Sequence, residues 1–181
     1  QMCIRDRVYG TDGFITVHDV LFKSDNKFMD AYNESINGLE SVMLKPNSRF
    51  YKEYWENSEE LTWRCHITCW AAKQVENIEG DFIECGVANG ILSKTICEYT
   101  DFGKLKRSFY LVDRWASING NNNSYHYPST FNGNWFEFAK SRFEKYPNVN
   151  LIHGTVPDIL EKLLHIEKIA YLSIDMNDGD A

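Results

Sequence analysis

Three carboxylates stand where short apolar runs end. Glu84 follows Asp81-Phe82-Ile83, Asp113 follows Phe109-Tyr110-Leu111-Val112, and Asp175 follows the run from Ile169 to Ile174. Two glycines four apart, Gly86 and Gly90, come directly after Glu84 and Cys85. Glycines here let the chain turn tightly and approach a ligand with no Cβ in the way. An acid at the next strand end, 29 residues beyond Glu84, is one βαβ unit away and can accept hydrogen bonds from both hydroxyls of a ribose. A single strand-end acid is as readily a capping group, and a glycine turn between strand and helix needs no ligand. Three acids on one sheet edge beside such a turn form a constellation that points to a bound cofactor.

The spacing bears on which cofactor. A pyrophosphate is held by G-x-G-x-x-G, which offers backbone N–H donors and a helix N-terminus. This chain has Gly86-x-x-x-Gly90 with an acid just before it. That acid repels pyrophosphate and suits a ligand with a cationic part, such as the ammonium and sulfonium of S-adenosylmethionine. The residues therefore favour a methyl donor over NAD or a nucleotide sugar.

The elements that must position these acids alternate. Asp81 to Cys85 reads as a strand and Gly90 to Tyr99 as a helix with Ile91, Leu92, Thr95, Ile96 and Tyr99 inward. Phe109 to Val112 is the second strand. A polar loop, Ser117 to Asn134, follows and contains Tyr125, Tyr127, Pro128 and Phe131, which mark it as a foldable lid. Trp135, Ala139, Phe143 and Tyr146 repeat at helical spacing, and Val149 to His153 is the third strand. Pro157 suits the first turn of a helix whose inner face is Ile159, Leu160, Leu163 and Leu164. Ile169 to Ile174 is the fourth strand. Strands joined by crossover helices predict a Rossmann-like α/β fold, a parallel sheet covered by helices on both faces. Ahead of it lies a helical lead: a short extended run, Phe14 to Val17; a helix capped by Ser24 or Asp25 and ended by Gly38; and two helices between Ser48 and Ile78, divided at Asn57-Ser58. Tyr54, Leu61, Cys65, Cys69, Ala72 and Val75 are its inner positions.

A chain of 181 residues with 43% hydrophobic and 14% aromatic content forms a core. Its formal net charge of −7 argues against nucleic acid, which needs a basic face. No apolar run spans a bilayer, and no secretory leader is recognisable. Five cysteines in no disulfide-like spacing fit a reducing, cytoplasmic setting. Cys65 and Cys69 share a helix face, but no second ligand pair accompanies them, so they read as buried small residues rather than zinc ligands.

The chain resembles the class I S-adenosylmethionine-dependent methyltransferases, and among them the macrocin O-methyltransferase (TylF) family. The residues that carry the resemblance are Phe14 to Asp19 with Asp30-Ala31-Tyr32, the stretch G-D-F-I-E-C-G-V-A-N-G from Gly80 to Gly90, Phe109 to Asp113, Asn150 to Val156, and Leu172 to Asp175. The resemblance implies an O-methyltransferase acting on a hydroxyl of a sugar or glycosylated small molecule. It implies that Glu84, Cys85, Gly86 and Gly90 shape the site for the methionine part of the donor, and that Asp113 holds the ribose. Arg114, Trp115, Gly154, Thr155 and Val156 would border the adenine. It also implies a divalent metal, usually Mg²⁺, at Asp175, which would help deprotonate the acceptor. Where the family reads L-D-x-D-L-Y, this chain reads Ile174-Asp175-Met176-Asn177-Asp178, with Asn177 in place of a second acid. A non-catalytic S-adenosylmethionine-binding or other nucleotide-binding domain is the alternative. His153 reads as structural, and His18 and His126 as acceptor-side candidates.

The expected organisation has three parts. Residues 1–7 read like a translated sequencing adapter and are set aside from fold reasoning. Residues 8–79 form the helical lead, and 80–181 the N-terminal part of the methyltransferase domain. A sheet that ended at the fourth strand would leave an apolar edge, so association or marginal stability and weak or absent catalysis are expected.

Overall fold

The computed structural model describes residues 21–39, 61–115 and 134–176, and the backbone alone of residues 8–9, 15–16 and 58–60. The lid between Ser117 and Gly133, His18, His126, Tyr54, Asn177 and the helix expected before Asn57 lie outside the described residues.

Two short strands, β1 (Val8–Tyr9) and β2 (Ile15–Thr16), pair antiparallel. Helix α1 (Asn26–Ile36) begins where Asp25 accepts a hydrogen bond from the Phe28 N–H at 3.1 Å. Such a cap contributes about 1 kcal/mol. It buries Phe28, Ala31, Tyr32 and Ser35, and the chain leaves it through Gly38 at φ 81°. Helix α2 (Ser58–Gln74) turns Leu61, Cys65, Cys69 and Ala72 inward at helical spacing. It stops at Gln74 rather than at Ile78. The Arg107 guanidinium donates to the carbonyls of Val75, Glu76 and Ile78 and so ends the helix in a turn.

The alternating part follows: β3 (Asp81–Cys85), α3 (Ile91–Thr100), β4 (Phe109–Asp113), α4 (Trp135–Phe143), β5 (Val149–His153) and β6 (Ile169–Ile174). The four long strands are all parallel, in the order β5-β4-β3-β6. This is the Rossmann-like α/β sheet the sequence predicts. β3 lies inside it, and its carboxyl end is where the strand order reverses, the position at which open α/β sheets bind ligands.

Side chains of β3 alternate between the two faces. Phe82 enters the larger core with α1 to α4, its ring 5.2, 5.6 and 5.0 Å from Phe102, Phe109 and Tyr171. Ile83 and Cys85 enter a smaller cluster with Val112 and Leu163 on the opposite face. That opposite face departs from expectation. The segment after Pro157 is a 3-10 helix, Asp158–Leu163, too short and too tight to present four inner positions. Leu163 is buried, Ile159 and Leu160 are half-buried, and Leu164 is 83% exposed. Leu172 and Ile174 of β6, paired with Ile83 and Cys85, are 54% and 65% exposed. Among the described residues, coverage by helices is complete on one face and partial on the other.

That partly open face, and a side of β6 with no strand partner among the described residues, predict self-association. Sedimentation velocity over a concentration series is expected to show a rising weight-average coefficient, reduced by the double substitution Leu172→Lys, Ile174→Lys. A concentration-independent monomer would contradict this.

Candidate functional site at the carboxyl edge of the sheet

The turn after β3 is tied by hydrogen bonds at nearly every described amide. The Gly86 N–H donates to the Val112 carbonyl, continuing the sheet for one residue. Val87 and Ala88 both donate to Asp113 Oδ2, at 2.7 and 2.8 Å. Gly90 donates to the Val87 carbonyl, and Ile91 to the Asn89 side chain at 3.0 Å. Asp113 Oδ1 accepts from the Trp115 N–H at 2.8 Å, and the Trp115 indole N–H closes the loop by donating to the Ala88 carbonyl at 2.9 Å. The end of β4 thus grips the turn after β3. Asp113 is placed at the turn as expected, but its carboxylate accepts backbone N–H groups there. A ribose at this position has to share or displace those bonds.

The glycines are fixed by neighbouring protein atoms. Gly86 has φ 89°, and a Cβ on it would lie 2.0 Å from the Asp175 carbonyl oxygen. The Asp175 N–H donates to the Cys85 carbonyl at 2.8 Å, so β6 and β3 meet too closely here for any side chain. Gly90 has φ 77°, and its Cβ would lie 2.6 Å from the Phe143 ring. Gly86 therefore permits strand-end contact, and Gly90 permits α4 to pack against the turn.

The remaining sequence-predicted residues divide by face. Cys85 points into the Ile83–Val112–Leu163 cluster, away from Glu84, and burial raises its thiol pKa. The Gly154 N–H donates to the Asp113 carbonyl, which joins β5 to the same edge. The Thr155 carbonyl starts the 3-10 segment by accepting from Ile159, and Val156 packs in the smaller cluster. Trp115 is buried and lies 5.2 Å from Phe136, while His153 stacks on Phe136 at 5.0 Å. His153 Nε2 is 2.7 Å from the Arg114 carbonyl, a structural role for both residues.

Glu84 and Asp175 complete the acidic edge. Glu84 is 1% exposed and accepts a 2.5 Å hydrogen bond from Ser93 Oγ, one turn into α3. Burial pushes its pKa up to about 8; the Ser93 bond opposes the shift, and the nearby Asp175 and Asp113 carboxylates add to it. Asp175 pairs with Arg64 of α2, Nη2 to Oδ2 2.6 Å, across 111 residues of sequence. The pair borders a half-open cavity of about 210 Å³ walled by Trp63, Ile67, Leu92 and Ile174. Arg64 and Ser93 carried no sequence signal as site residues: one is a cation on a helix, the other a hydroxyl within a helix.

The donor set bears on the expected groups. A turn whose amides at 86–88, 90 and 91 are already taken, with acids around it, is a poor pyrophosphate site by both occupancy and charge. The same acids fit a ligand with a cationic portion. At Asp175, the acid expected to hold Mg²⁺, the carboxylate is already engaged by the Arg64 guanidinium, and among the described residues no three His, Cys, Asp or Glu side chains cluster into a metal site. Cys65 and Cys69 are buried free thiols, and burial pushes the Cys65 pKa up to about 12, which agrees with a packing role.

The Glu84 shift sets a pH dependence. Its folded-state pKa lies above the unfolded value, so its stabilising contribution is full below about pH 4.5 and is lost as pH rises toward 8. Urea denaturation is expected to show stability falling across that window. Glu84→Gln, which still accepts from Ser93, is expected to flatten the slope and to be the more stable protein at pH 8. A slope unchanged by the substitution would contradict the assignment.

No family model matches the chain, and no curated protein matches it. Solved structures do. The O-methyltransferase NovP superposes with a TM-score of 0.54 at 17% identity, over 83% of this chain and 73% of that one. The calicheamicin methyltransferase CalS11 matches over 87% of this chain and 68% of that one, at 15% identity and a TM-score of 0.43, too low to carry an argument. At this identity the likeness to NovP establishes the fold: a Rossmann-like α/β sheet of the kind found in an O-methyltransferase.

Proposed function

We propose that this protein is an S-adenosylmethionine-dependent O-methyltransferase of the TylF-like kind, acting on a hydroxyl of a sugar or glycosylated small molecule. The observation that carries the reading is the acidic carboxyl edge. Glu84, Asp113 and Asp175 surround a glycine turn whose amides are bound internally, on a sheet that resembles the O-methyltransferase NovP. NovP supports the fold and the reaction class, and the sequence resemblance supports the acceptor. The free thiols fit the cytoplasmic setting.

S-adenosylmethionine, when bound, supplies a methyl group on a positively charged sulfur. The chain contributes position and charge. Glu84, Gly86 and Gly90 shape the region for the methionine part, and Asp113 offers its carboxylate to the ribose. Trp115, with Arg114 and the Gly154–Val156 backbone, borders the adenine. Much of the rate enhancement then comes from holding the acceptor oxygen in line with the donor. Asp175 is the candidate catalytic base, taking the acceptor hydroxyl's proton on a carboxylate oxygen.

A second reading is favoured by one contact. Arg64 engages the Asp175 carboxylate directly, which suits a domain that binds the donor without acceptor chemistry.

Calorimetry separates these readings from no site at all. S-adenosylmethionine is expected to bind at one per chain and NAD not to bind, with Asp113→Ala weakening the methyl donor by about tenfold or more. Preference for NAD, or no heat with either ligand, would overturn the proposal. A product assay with glycosylated acceptors then divides enzyme from binding domain.

A further inference from the structure

We propose that Arg64 is the resident cation of the pocket at the end of β6, in the place where a divalent metal would otherwise neutralise Asp175. The pairing is a matter of geometry alone. Calling the pocket the acceptor side rests on the methyltransferase reading.

Each acid of the edge has a different partner. Glu84 is buried against Ser93, and Asp113 is spent on the amides of Val87, Ala88 and Trp115. Asp175 faces the cavity between α2, the start of α3 and the end of β6, and among the described residues it is the one carboxylate and Arg64 the one cation lining it. Its guanidinium is permanently charged and meets a carboxylate oxygen at 2.6 Å.

A divalent ion at Asp175 would have to displace this guanidinium or sit against it, two like charges a few ångströms apart. Among the described residues, the other two acids of the edge are committed elsewhere, so Asp175 is the carboxylate over which an ion and Arg64 would compete. Arg64 comes from a helix fixed in the main core by Leu61, Cys65, Cys69 and Ala72, so the charge arrives already positioned. The ion pair is part-exposed, and pairs of that kind contribute little to stability. Its value lies in where it places a positive charge: on the wall of the cavity, against the Asp175 carboxylate. There the guanidinium N–H groups can hold an acceptor oxygen while Asp175 takes its proton, which makes Arg64 a substrate-positioning residue.

The test uses Mn²⁺ as the probe, followed by electron paramagnetic resonance, on the whole chain as wild type, Arg64→Gln, Arg64→Lys and Asp175→Asn. Wild type and Arg64→Lys are expected to leave the Mn²⁺ spectrum that of the free ion at millimolar protein. Arg64→Gln, with the cation gone, is expected to take up Mn²⁺ about tenfold more tightly than wild type, and to lose that gain when Asp175→Asn is added. A wild-type site for one Mn²⁺ per chain that Asp175→Asn abolishes would overturn the proposal, as would an Arg64→Gln protein that binds no better than wild type. Circular dichroism melts confirm that the variants fold; the wild-type and Arg64→Lys arms decide the matter if Arg64→Gln does not. Parallel titration with S-adenosylmethionine keeps the two readings apart. A chain that ignores the methyl donor defeats the methyltransferase assignment and leaves the Mn²⁺ result standing.

Discussion

The carboxylate of Asp113 accepting the amides of Val87 and Ala88 is the constraint on which the rest of the edge depends. A chain leaving a central parallel strand turns sharply, and its first amides lose their sheet partners. Buried or half-buried N–H groups left in that state are costly. This chain satisfies them with an acid from the neighbouring strand, and Trp115 ties the other side of the loop by donating to the Ala88 carbonyl. The turn can then run through positive φ at Gly86, Ala88 and Gly90 without coming apart. With the turn held, Gly86 lets the Asp175 backbone close on the end of β3, and Gly90 lets Phe143 close on it from α4. One side chain thus fixes the turn against which the end of β6 and helix α4 close.

The charge distribution follows from the same arrangement. Parallel strands bring Glu84, Asp113 and Asp175 to one edge, where their mutual repulsion has to be relieved. Each acid is relieved differently: Glu84 by burial beside Ser93, where the neutral form is favoured; Asp113 by backbone N–H groups; Asp175 by Arg64. The edge thereby holds three carboxyl groups without three unrelieved charges, and its bound amides leave few donors for a pyrophosphate.

Much of the fold was legible in the sequence because its signals are local. The strand ends at Cys85, His153 and Ile174, the cap at Asp25 and the spacing of Trp135, Ala139 and Phe143 depend on neighbours a few residues away. The segment after Pro157 was misread because its apolar spacing fits an α-helix, while the chain packs it as a single 3-10 run that leaves Leu164 in solvent. The acidic edge was legible as a set of strand-end residues. Its partners were not. Arg64 meets Asp175 across 111 residues, and nothing along its helix marks which cation will point at a distant strand. Asp113 was legible as a strand-end acid, but its hold on the turn was not, because the same acid in the same place serves a ribose or a backbone equally well.

We propose that the methyl donor binds at the turn from Glu84 to Ile91, which Asp113 grips. Hydrogen exchange followed by mass spectrometry, with and without S-adenosylmethionine, reads this out peptide by peptide. Slowed exchange is expected in peptides covering residues 84–91, 113–115 and 153–156. Exchange unchanged in those peptides at saturating donor, or protection confined to other parts of the chain, would contradict it.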